Sequence, residues 1–203
     1  GGLDAIIREN SYGQASVRIT NLPGANISSC DSSVRDAVRA DYHARYPQIH
    51  YFIFFGSPCN IGDVYSNPGT AWTSATSMTK TARHEFAHAL GHLHPHMLGC
   101  DTPIPIGPSG CVKGEYGDPT DWMSLDGRHA HASHKEQLKW LTIPIVTMTG
   151  TYILVPLDEV GLQAVKVPYT SPLHNWRESY LVFEYRQEPA LYDTLKDGVI
   201  VHL

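Results

Sequence analysis

The stretch HEFAHALGHLH, His84 to His94, restricts this chain more than any other. If it is helical, His84 and His88 stand four residues apart on one face and can reach one cation. Glu85 lies one step round the same turn, beside that cation, where a carboxylate can take a proton from a water. Gly91 tolerates positive φ, so it can end the helix and turn the chain sharply. The turn would return His94 as a third imidazole. Three imidazoles leave a tetrahedral zinc one open position, the arrangement of a catalytic rather than a structural site. His92 and His96 flank His94 and would replace it if the turn ran differently; the spacing favours His94.

The histidine helix is expected to start near Ser77 or Thr79, with Met78, Ala82, Phe86, Ala89 and Leu90 as its apolar side. Upstream, Ala15, Val17 and Ile19 alternate with Ser16, Arg18 and Thr20, which reads as a strand. Cap chemistry at Asp31 to Ser33 precedes Val34, Ala37, Val38 and Tyr42 at helical spacing, and that helix must end before Pro47. Ile49 to Phe55 is a continuous apolar run ended by Gly56 and Pro58, the signature of a buried strand. Strand, helix, strand suggests a βαβ unit in a parallel sheet. Thr70 to Thr76 would be a short edge strand.

Downstream, residues 95 to 122 are dense in proline and glycine and read as one long loop. Asp118 and Asp121 in it are expected to be turn carboxylates. Ser133 and Glu136 form a capping box for a helix from about His134 to Leu141. His129, His131 and His134 stand before it or at its start, too irregularly spaced to define a second metal site. Residues 150 to 203 give four strand candidates: Tyr152 to Val155, Leu162 to Val167, Tyr180 to Tyr185 and Val199 to His202. They suggest an antiparallel meander. A core of that size is poor alone, so the segment packs on the rest or begins a larger sandwich.

The formal charge is −5 with no block of lysine and arginine, so nucleic acid and anionic membrane are poor partners. No apolar run approaches membrane-spanning length, and no signal peptide is visible ahead of GGLDAIIREN, as in a mature or excised chain. Low charge, many aromatics and 14 prolines suit an extracellular protein. Cys30, Cys59, Cys100 and Cys111 allow three pairings. Cys100 with Cys111 is the most local, and would leave Cys30 with Cys59.

The pattern His-Glu-x-x-His-x-x-Gly-x-x-His resembles the metzincin clan of zinc endopeptidases. HEFAHALGHLH, YGDPTDWMS and HASHKEQLKWL, in this order, are similar to the gametolysin family of secreted zinc endopeptidases. The tail, with GTYILVPLDE, GLQAVKVPY, SYLVFEYRQ and DGVIVHL, resembles the β-rich region that follows the catalytic domain in gametolysin-like and immune-inhibitor-A-like peptidases. The latter group typically has an aspartate as third ligand, so His94 favours the gametolysin side. The resemblance covers roughly residues 49 to 203.

The resemblance implies an α+β fold. Residues 1–148 would form a metzincin-type zincin catalytic domain, a twisted mixed sheet with an active-site helix. Residues 149–203 would be an antiparallel β-rich segment, the start of a truncated β-sandwich. It implies Zn2+ on His84, His88 and His94, Glu85 as general base, and Met123 as the Met-turn that floors the metal. An edge strand would pair with extended substrate. Leu125 stands where some metzincins carry a tyrosine, so no such tyrosine is assigned. The substrate pocket wall is expected around Ser124, Leu125 and the loop before Met123. The expected activity is that of a secreted, monomeric metalloendopeptidase on protein or peptide substrates, with extracellular-matrix or cell-wall glycoproteins implied. The alternative is a catalytically silent, zinc-containing glycoprotein-binding or adhesion module; the intact Glu85 speaks against it, since binding alone needs no base there.

Overall fold

The computed structural model describes residues 2–63, 66–100, 111–124, 129–169, 179–187 and 198–202. The chain opens with a helix, α1 (Leu3–Asn10). Leu3, Ile6, Ile7 and Asn10 recur at helical spacing and are its buried face. The expected strand from Ala15 to Thr20 does not form. Its backbone donors find side chains instead of a neighbouring strand: Ala15 N–H donates to Ser11 Oγ and Val17 N–H to Asp4 Oδ1.

Helix α2 (Ser32–Arg45) starts after Asp31, as its cap residues predict, and stops before Pro47. Strands β1 (Tyr51–Phe55), β2 (Ile61–Asp63) and β3 (Gly69–Thr73) form one sheet in the order β1-β3-β2. β1 and β3 run parallel, and β2 lies antiparallel on the far side of β3. The parallel pair is therefore real, but α2 precedes it rather than connecting two strands. The expected edge strand near Thr70 is the buried central strand, and β1 and the short β2 lie at the edges of the described sheet. Trp72 explains the inversion: its indole stacks on Phe54 at 4.2 Å and donates to Asp63 Oδ2, tying all three strands together. The Cys30–Cys59 disulfide joins the entry of α2 to the segment after β1.

Helix α3 (Lys80–Ala89) packs across this sheet and carries the histidines. What reads as a long loop contains a hairpin, β4 (His96–Cys100) with β5 (Cys111–Glu115). Cys100 and Cys111 are partners in its register; their side chains, and with them the expected second disulfide, lie outside the described residues. So does Leu125. Helix α4 (Ala132–Gln137) is shorter than expected and starts earlier. Its cap is His131, whose Nδ1 accepts from His134 N–H, rather than Ser133.

Strands β6 (Ala164–Tyr169), β7 (Ser179–Arg186) and β8 (Gly198–His202) make an antiparallel meander. Tyr152 to Val155 is not a strand; the chain there reaches the sheet only through a bridge from Pro156 to Tyr185. The meander packs on α4 through Ala132, Ile143, Leu157, Ala164 and Val182. Buried Glu184 on β7 accepts from Ala132 N–H at 2.6 Å. At this level the fold is α+β, with short helices and, among the described residues, three small sheets. Among the described residues no helix is long and apolar enough to cross a membrane.

Candidate metal centre

Thr79 caps α3, its hydroxyl accepting from Ala82 N–H at 3.3 Å. Ala82, Phe86, Ala87 and Ala89 are buried, and Phe86 and Ala87 join the core that contains α1, Trp122 and Met123. That packing leaves His84 and His88 on the face beside β2. At the other end the helix closes on Gly91 with φ +97°. Gly91 N–H donates to His88 O and His92 N–H to Ala87 O, the paired bonds of a Schellman turn. The turn throws His94 back over the helix, as the glycine's place in the sequence predicts. Gln137 of α4 pins it by donating to Gly91 O.

His84, His88 and His94 converge. His94 Nε2 lies 3.2 Å from His84 Nε2 and 2.8 Å from His88 Nε2. Each ring turns its other nitrogen to an acceptor. His88 Nδ1 meets His92 O at 2.8 Å, His94 Nδ1 meets Glu115 Oε1 at 2.7 Å, and His84 bonds the main chain of Ser124. An acceptor at Nδ1 holds the ring proton there, which leaves Nε2 as a bare lone pair. Three bare lone pairs facing one another repel unless a cation sits among them. A tetrahedral ion at about 2.0–2.1 Å from each nitrogen would space them about 3.3 Å apart. The donor set therefore fits a single metal ion. Burial, then the charges of the other histidines, pulls His84 down to about 4; burial also lowers His88. Neutral rings at neutral pH are what a metal requires.

Glu85 is 6% exposed, and burial pushes its carboxyl up to about 7. The opposing influence is a hydrogen bond from Gly62 N–H on β2. Gly62 pairs with Ala71 of β3 on one side, and turns its N–H to Glu85 on the other. It can do so only because it has no side chain. A Cβ there would lie 2.1 Å from His88 Cβ and 2.2 Å from Glu85 O. The free edge of β2 thus borders the base and a ligand directly.

The end of β5 supplies two residues that the sequence did not single out. Glu115 orients His94, the carboxylate partner that ligating histidines usually have. Tyr116, next in the chain, sits at φ +58° and lays its ring 4.0 Å from that of His94 and 5.8 Å from that of His84. Burial, then the charges of Glu115 and Glu85, raises its phenol above the usual range. Gly117 follows; a Cβ on it would fall 2.7 Å from Met97 Cβ, so the turn is packed directly on β4.

Met123 is fully buried in the core under α3, and the next residue, Ser124, holds His84. Asp121 makes the turn: it accepts from Met123 N–H at 2.7 Å, from His131 N–H at 2.7 Å and from His134 Nδ1 at 3.0 Å. His92 does not ligate; it is buried, accepts from Trp122 Nε1, and stacks on His134, which stacks on His131. His96 is exposed on β4. Among the described residues two further groups, Asp118–His131–His202 and Asp121–His131–His134, bring metal-capable atoms within 4.8 Å of one another. Their hydrogen bonds favour a structural role. His131 Nδ1 is spent on the α4 cap, which puts the ring proton on Nε2, and Asp121 is saturated.

His202 on β8 lies 3.4 Å from Asp118 Oδ2 and 3.3 Å from Glu184 Oε1. Burial opposes its charge, but the two carboxylates outweigh it and raise His202 to about 9. A folded-state pKa above the unfolded value adds stability that is complete below about pH 6.5 and is lost as pH rises through about 9. Denaturant unfolding at pH 6.5 and pH 10 should therefore show a loss on the order of 2 kcal/mol that His202→Gln abolishes. Equal pH slopes in the two proteins would refute it.

No protein-family model, curated protein or solved structure matches the chain.

Proposed function

We propose that this chain is a secreted zinc metalloendopeptidase of metzincin type, resembling the gametolysin family, which hydrolyses peptide bonds of proteins. Extracellular-matrix or cell-wall glycoproteins are the substrate class that the resemblance implies. The observation that carries the reading is the convergence of three Nε2 atoms, on His84, His88 and His94, beside buried Glu85. Zinc accepts imidazole nitrogens and a four-coordinate site with one place left open. Bound there, it would lower the pKa of a water and polarise the scissile carbonyl.

Glu85 receives the proton of the attacking water as its oxygen adds to the carbonyl carbon, and passes that proton to the amine as the C–N bond breaks. In the metal-free chain burial pushes its carboxyl up to about 7, so both protonation states lie within reach of neutral pH. Gly62 N–H aims the carboxylate. β2 lies at an edge of its sheet next to the base, where an extended peptide would add as a further strand. Met123 closes the floor and keeps Ser124 on His84. The Cys30–Cys59 disulfide supports an oxidising, extracellular setting.

The test is metal analysis together with digestion of a broad quenched-peptide mixture. The expected result is one zinc per chain and cleavage that a chelator abolishes and added zinc restores. Cleavage indifferent to the chelator, or a chain that retains no zinc, would overturn the reading. Bound zinc without cleavage would favour the binding-module alternative.

A further inference from the structure

Beyond the three ligands and the base, a hydrolytic site needs a donor for the negative charge that grows on the scissile carbonyl oxygen. The position where some metzincins carry a tyrosine holds Leu125. A tyrosine nevertheless reaches the site from another direction. Tyr116 stands at the end of β5, directly after the residue that orients His94. Its ring lies 4.0 Å from that of His94 and 5.8 Å from that of His84. It is thus placed beside two of the three converging imidazoles.

The backbone is arranged for this placement. Tyr116 adopts φ +58°, a conformation unfavourable for a bulky residue and concentrated at functional sites. Gly117 packs against β4 so closely that a Cβ would fall 2.7 Å from Met97 Cβ and 3.0 Å from Gly114 O. The hairpin therefore fixes the turn, and the turn directs the ring over the histidines instead of out to solvent. Tyr116 is partly buried there. Among the described residues no hydrogen bond takes up its hydroxyl.

We propose that Tyr116 is a catalytic residue: its phenolic O–H donates a hydrogen bond to the oxyanion that develops on the scissile carbonyl. The role rests on the peptidase reading. No proton is transferred; the phenol stays protonated throughout while Glu85 carries the proton from water to amine. A donor at that oxygen acts on the transition state and not on the bound peptide, so its loss should lower kcat and leave KM alone.

The experiment compares the zinc-loaded native protein with Tyr116→Phe, Tyr116→His and Glu85→Gln. Zinc content is measured on each. The kinetics of a quenched peptide are followed, and so is calorimetric binding of a phosphinic pseudopeptide whose anionic PO2 group copies the tetrahedral centre. Tyr116→Phe should keep its zinc, lose about 100-fold in kcat with KM unchanged, and bind the phosphinate more weakly by a similar factor. Tyr116→His, which retains a donor, should recover part of both. Cleavage abolished by Glu85→Gln but untouched by Tyr116→Phe would overturn the role while the peptidase reading stands. No cleavage by the native protein, with phosphinate binding still weakened by Tyr116→Phe, would sustain the donor and overturn the peptidase reading. Zinc lost from Tyr116→Phe would make the ring a support for His94 and overturn the donor role.

Discussion

Glu85→Gln should retain one zinc per chain and lose about 1,000-fold in kcat on any peptide the native protein cleaves. The two side chains have the same shape, and the amide oxygen can still accept from Gly62 N–H. The ligands lie elsewhere on the helix and in the turn, so metal binding should be unaffected. What the amide cannot do is take a proton from water. The same variant should reveal a stability cost of the base. Burial raises the carboxyl to about 7, above its unfolded value, so ionised Glu85 destabilises the folded chain progressively from about pH 4.5 to above 7. Metal-free Glu85→Gln should therefore be the more stable protein at pH 8, by on the order of 1 kcal/mol after solvent screening. A variant with a tenth or more of native activity would remove Glu85 as the base.

Gly62→Ala should be as damaging, although it touches no reacting atom. The added methyl would sit 2.1 Å from His88 Cβ and 2.2 Å from Glu85 O, and neither is the end of a flexible side chain. Either β2 leaves the helix or α3 turns on its axis. Separation breaks the bond from Gly62 N–H to Glu85; rotation takes His88 off the point where it meets His94. The expected cost is about 2–3 kcal/mol in unfolding free energy, with zinc affinity at least tenfold lower. Gly24→Ala is the control. A Cβ there meets nothing within 4 Å, and its stability should change little. Native-like zinc affinity and stability in Gly62→Ala would show that β2 does not rest on the helix as described.

The candidate centre was legible because its signals are local. His84, His88 and Gly91 act through helical spacing and one turn, and a short stretch of sequence contains both. Glu115 and Tyr116 act on the same centre from a strand 21 and more residues further on, where nothing in GEYGD sets them apart. Gly62 was equally silent, since a glycine needed for close packing looks like a turn residue until its neighbour is known. In the fold, α2 and β1 followed their caps and apolar runs. The first segment did not. Alternation at Ala15 to Thr20 suggested a strand, but Ser11 and Asp4 took up its donors, and LDAIIREN before it had the helical period all along. The edge and centre of the sheet were exchanged because burial of Trp72 is a property of the assembled sheet, not of GTAWT.

The bond from His202 to Asp118 bears on how the chain is made. Asp118 lies between the hairpin and the methionine turn, and His202 is synthesised 84 residues later. Until β8 arrives, Asp118 lacks its ionic partner and Glu184 lacks one of its two. Uncompensated charge in a forming core resists burial. The segment that leads from the hairpin to Met123 is therefore charge-compensated only once the last strand of the meander is in place.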